Sequence, residues 1–91
     1  MKVIDETARV AFVDDAGKLI GEITFELQGT DTLVLNHTGV DPEYRGQGIA
    51  GQLMDLAVEK ARREGKKILP MCSYAVRAFE KNPDYGDVLK K

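Results

Sequence analysis

Residues 45–50, Arg-Gly-Gln-Gly-Ile-Ala, set one arginine and two glycines where an apolar stretch gives way to an amphipathic one. A helix starting here offers unpaired backbone N–H groups and the positive end of its macrodipole, a natural seat for phosphate. Gly48 removes a side chain from the path of a ligand, and Ala50 keeps the first helical turn slim. Arg45 adds charge and a forked set of donors, while Gly46, Gln47 and Ile49 complete the loop. The combination suits a diphosphate better than a neutral ligand.

Three further side chains carry reactive groups. His37 is the only histidine, and an imidazole can take a proton from an ammonium group near neutral pH. By strict alternation it shares a strand face with Leu33 and Leu35, so a hydrogen-bonded structural histidine is the alternative; Thr38 falls on the opposite face. Cys72 stands between an apolar run and a second helix, where it is either an acyl-accepting nucleophile or a small core residue. Tyr74 follows on the first turn of that helix, as a proton donor or as a packed aromatic. Glu22, Glu26 and Glu43 could attract an amine, although scattered carboxylates are ordinarily just solvated. No metal site is expected.

The elements that hold these groups follow from periodicity. Residues 8–13 alternate as a strand, Asp-Asp-Ala-Gly-Lys turns the chain, and residues 19–27 return. On the return strand Leu19, Gly21, Ile23, Phe25 and Leu27 form one face, and Ile20, Glu22, Thr24 and Glu26 face mostly water. A second turn leads to residues 32–40, which completes an antiparallel meander whose apolar face needs a cover. That cover is a helix over residues 48–64, with Ile49, Leu53, Ala57 and Ala61 at helical spacing and Gly65 as its stop. Residues 67–71 return as a short strand parallel to the third, and Ser73 can cap a second helix over 74–81. The predicted fold is α+β: a three-stranded antiparallel meander plus one parallel strand, a long helix across the sheet and a short C-terminal helix.

With 91 residues the chain is expected to form one domain. Its net charge of -2, with 13 basic and 15 acidic residues interspersed, provides no one-signed field for nucleic acid. The run Lys60–Lys67 is read as the solvated basic end of the long helix. One cysteine cannot form an internal disulfide, the first ten residues lack a signal-peptide core, and no apolar run spans a bilayer. A cytoplasmic setting and no membrane partner are expected.

Two other phosphate-binding patterns fit poorly. A Walker loop would close with Lys-Ser or Lys-Thr where this chain has Ile49-Ala50. Gly46-x-Gly48-x-x-Gly51 matches the dinucleotide fingerprint literally but follows a meander and lacks the βαβ context. A glycine turn without a ligand is the plain alternative. The pattern Arg/Gln-x-x-Gly-x-Gly/Ala, met by Arg45, Gly48 and Ala50 after a strand and before an amphipathic helix, resembles the acetyl-CoA signature of the Gcn5-related N-acetyltransferase superfamily. Residues from about 33 to 89 are similar to an unusually short subgroup of it.

The resemblance implies that acetyl-CoA is the cofactor, its pantetheine arm lying between the third strand and the parallel one. A backbone N–H near Val40 would then polarise the thioester carbonyl. It implies an N-acetyltransferase acting on an unidentified amine, small or protein-borne, or else a coenzyme A-binding module without turnover. Many relatives place a tyrosine on the last helix to protonate the leaving thiolate, and the matching position here is Phe79, at the cofactor's border but without a proton to give. The helices that usually lie between the first two strands and form the amine pocket are absent, Val13 and Leu19 being joined by five residues only. The acceptor site is therefore expected to be open or completed by a partner protein.

Overall fold

The computed structural model describes residues 1–91. Five strands, β1 (Lys2–Glu6), β2 (Arg9–Val13), β3 (Leu19–Gln28), β4 (Thr32–Val40) and β5 (Lys67–Pro70), lie in that order in one sheet. Strands β1 to β4 are antiparallel and β5 joins β4 in parallel after the crossover helix α1 (Ile49–Glu64). A second helix, α2 (Ser73–Lys81), follows β5, and short 3-10 turns occupy Pro42–Tyr44 and Pro83–Val88.

The α+β architecture is the expected one with a strand added. β1 carries almost none of the alternation that betrays a half-buried strand: only Ile4 is partly covered, and Val3 is 53% exposed. It is an edge strand whose other side bears no partner, and charges at Lys2, Asp5 and Glu6 mark it as such.

One cluster of 18 buried residues forms the core between the sheet and the two helices. From α1 it takes Ile49, Leu53, Met54, Ala57, Val58 and Ala61. Gly21 allows the start of α1 to lie close against β3, since a Cβ there would sit 3.1 Å from Leu53 Cδ1 and 3.0 Å from the Gly39 carbonyl. Two bulges break the simple alternation. The β2–β3 register skips Ile20, which turns inward beside Gly21 instead of facing water and leaves Leu19 outside. Leu27, expected inside, is 48% exposed because β3 runs on past the end of β2.

The basic run is not a free solvated face. Lys60 is buried, and its ammonium donates to Asp5 of β1 at 2.9 Å and to Glu64 at 2.7 Å. Arg63 also pairs with Asp5, and Arg62 makes a two-pronged contact with Asp87. These pairs tie the edge strand and the C-terminal turn to α1. The Lys60 hydrogen bond holds the carboxyls of Asp5 and Glu64 below the ordinary carboxylate range, with burial partly opposing it. Burial pulls Lys60 down, but its hydrogen bonds to Glu64 and Asp5 outweigh this and raise it.

Depressed carboxylates stabilise the fold above their unfolded pKa and lose that contribution as pH falls through the folded value. The raised Lys60 keeps its contribution below its unfolded value and loses it only at strongly alkaline pH. In urea titrations Lys60→Ala is expected to cost about 2 kcal/mol, less than a fully buried pair because both carboxylates reach solvent. The variant is also expected to lose less of its remaining stability than wild type as the pH falls below the ordinary carboxylate range, where wild type gives up the contribution of the two depressed carboxyls.

Candidate functional site

β4 outruns β5. Their parallel pairing ends at Leu35 opposite Pro70, whereas β4 continues to Val40. The Leu35 carbonyl accepts from Met71 and, at longer range, from Cys72 as the chain turns away after Pro70. On β4 the register against β3 skips Asn36, a bulge placed just at the parting point. Residues 36–40 therefore border β3 on one side and have no strand on the other.

The bulge also reverses the facing of everything after it. His37 does not share a face with Leu33 and Leu35; it pairs with Thr24 on the uncovered side of the sheet, and its side chain is 56% exposed. Thr38 points inward instead, with its hydroxyl 3.4 Å from Cys72 Sγ. Alternation counted through residue 36 puts both side chains on the wrong faces, and nothing in the residue types announces the bulge.

Beyond Val40 the Asp41 carboxylate accepts from the Glu43 N–H and starts the turn that delivers Arg45 to the head of α1. Gly48 adopts a left-handed φ of 76° as the N-cap, without a side-chain cap. None of the backbone N–H groups from Gly46 to Gly51 donates to a protein acceptor. All of these residues but Gln47 border a cleft of about 200 Å³, lined also by Val40, Tyr44, Arg45 and Tyr74. No atom lies within 4 Å of where a Cβ would stand on Gly46, Gly48 or Gly51. Unpaired donors, an arginine and open backbone together fit an anionic diphosphate.

Most of the expected cofactor residues meet here. Val40, Arg45, Gly46, Gly48, Ile49 and Ala50 border the cleft; Gln47 belongs to the turn but does not line it. Phe79, expected at the cofactor's border, is buried in the core with its ring edge-to-face on Tyr85 at 5.4 Å. Tyr74 does line the cleft and is 40% exposed. Tyr85 donates its hydroxyl to Asp55, and burial together with that bond pushes it up to about 12. Cys72, rather than Ser73, caps α2: its sulfur accepts from the Ala75 N–H at 3.4 Å. The thiol is thus engaged with both Ala75 and Thr38.

Comparison with known proteins agrees with this geometry. The profile of the family described as GCN5-related N-acetyl-transferase matches residues 9–88. The chain belongs to that family. A GCN5-like protein from Staphylococcus aureus, solved by NMR, is 31% identical over 98% of this chain and 87% of that one, with a TM-score of 0.79. The GNAT-family YhbS of Escherichia coli, solved in complex with CoA, is 27% identical with a TM-score of 0.65 over 79% of this chain. Nourseothricin acetyltransferase is 28% identical with a TM-score of 0.59 over 80%. The chain spans less than half the length of these last two, 43% and 46%. Among curated proteins none matches.

Within that family the chain is pared down further than its sequence implies. Its first two strands are β1 and β2, and only Thr7 and Ala8 join them, where five residues between β2 and β3 were the expected short link. No helix crosses the outer face of the sheet there. Because Cys72 acts as a cap, Cys72→Ser is expected to keep stability within about 0.5 kcal/mol, while Cys72→Ala loses about 1 kcal/mol in thermal unfolding.

Proposed function

We propose that this protein transfers an acetyl group from acetyl-CoA to an amine. The observation that carries this reading is the row of unpaired N–H groups from Gly46 to Gly51, set beside the gap between β4 and β5. In this reading the coenzyme diphosphate takes those donors with Arg45, and the pantetheine amides take the free edge of β4. The Val40 N–H polarises the thioester carbonyl, as a fixed donor aimed at developing charge. Family membership and the CoA held by the similar YhbS support the same assignment.

Since Phe79 is buried and has no hydroxyl, Tyr74 is the group on α2 that lines the cleft and can protonate the departing thiolate. His37, on the open face beside Val40, takes the proton of the incoming ammonium. Cys72 serves α2 as its cap, not as an acyl carrier. The acceptor, a small molecule or a protein, meets no lid. The lone cysteine, with no disulfide partner, supports a cytoplasmic setting.

Phe79 in the core favours a second reading, coenzyme binding without turnover. The two separate in one set of measurements. Calorimetry with acetyl-CoA is expected to show binding weakened at least about tenfold by Arg45→Glu, because the change inverts the charge at the diphosphate seat. An unchanged isotherm contradicts the coenzyme site in both readings. Tyr74→Phe is expected to lower kcat about tenfold or more with acetyl-CoA affinity intact; binding with no turnover of any amine selects the second reading.

A further inference from the structure

A groove of about 400 Å³ runs across the paired ends of β3 and β4, bordered by Lys18, Gly21, Glu22, His37, Gly39 and Asp41 among others. Val40 lines this groove and the diphosphate cleft alike, so the two adjoin. Glu22 stands directly opposite Gly39 in the register, and His37 lies two residues before Gly39 on the same outer face. The imidazole leans over Gly39: a Cβ there would come within 2.9 Å of His37 Nε2. The missing side chain is what lets the ring reach towards Glu22.

The two oxygens of Glu22 are used unequally. Oε1 accepts from Arg9 Nη1 at 3.2 Å, which steadies the carboxylate, and Oε2 faces His37 Nε2 across 4.0 Å. That gap is too wide for a direct hydrogen bond, but a single N–H donor group seated between the two atoms reaches both. Lys18, the cation on the groove's rim, lies 3.9 Å from Asp41 and 3.7 Å from Glu43 and so is paired with carboxylates other than Glu22.

Resting on the acetyl-transfer reading above, we propose that this groove is the acceptor site and that it takes an alkylammonium group bridging Glu22 Oε2 and His37 Nε2. Glu22 binds the cation and His37 Nε2 receives its proton. The neutral nitrogen forms a bond to the thioester carbonyl carbon, the carbon–sulfur bond breaks, Tyr74 gives its phenolic proton to the departing thiolate, and the second proton of the acetylated nitrogen restores the tyrosine. The sum is R–NH3+ and acetyl-CoA giving R–NH–acetyl, CoA–SH and one released proton. This acceptor site lies on the uncovered sheet face, which the missing helices leave open to either a free amine or a lysine side chain.

The test uses 1,4-diaminobutane and a short peptide with one free lysine, on wild type, on the isosteric Glu22→Gln, and on Glu26→Gln as a control on the same strand face outside the groove. Amide resonances of Gly21, Glu22 and Gly39 are expected to shift with at least one of the two amines, in wild type and Glu26→Gln, and to lose that response in Glu22→Gln. In turnover, Glu22→Gln is expected to raise the KM for that amine about tenfold with acetyl-CoA affinity unchanged. Which amine responds tells the free source from the protein-borne one. Shifts confined to other residues, no shift with either amine, or an equal response in Glu22→Gln overturn the acceptor site. Because acetyl-CoA binding is measured separately and the amine titration needs no turnover, failure of the cofactor reading is seen on its own.

Discussion

Past Leu35 and Pro70 the two parallel strands share no more hydrogen bonds, and backbone groups on one side of β4 are left without a strand partner. Unpaired peptide groups inside a sheet are costly, so such a gap persists only where the surrounding structure enforces it. Here the break falls where β5 turns away into α2. The ladder closes with Met71 donating to the Leu35 carbonyl, and the bulge at Asn36 bends β4 at the same level.

The rest of the molecule holds that opening in a fixed relation to α1. Gly21 brings the head of the helix close to β3, and the buried Leu53, Ala57 and Ala61 fasten its length to the sheet. The Lys60 pairs fix the far end of the helix to β1, and Arg62 fixes the C-terminal turn. The unpaired N–H groups after Gly46 are therefore carried by a well-anchored element, which is what an electrostatic seat for a charged ligand needs. The two clefts share Val40 as a lining residue, which places them on either side of a single backbone position.

The small size of the chain has a structural consequence at the outer face. Joining β1 to β2 through Thr7 and Ala8 removes any cover over Glu22, His37 and Gly39, and the polar row Glu6, Arg9 and Glu22 is suited to that exposure. A carboxylate that looks in the sequence like one of several solvated ones becomes particular only because β3 and β4 set it opposite a glycine.

Much was legible in the order of residues. Helical spacing from Ile49 to Ala61, the stop at Gly65, the alternation of β2 to β4 and the glycine turn at 45–50 are local patterns, governed by chain stereochemistry and by the need to bury one face. Strand β1 was not legible, because an edge strand buries too little to impose a pattern. Nor were the facing of His37, the inward turn of Ile20, the burial of Phe79 against Tyr85 or the cap at Cys72. Each of these depends on pairing between distant segments: one extra residue in a strand reverses every side chain beyond it, and which residue is extra is settled by the neighbouring strand. The chain by itself determined its long helix, its inner strands and its glycine turn, because these rest on local stereochemistry; the packed sheet decided which reactive side chains face one another.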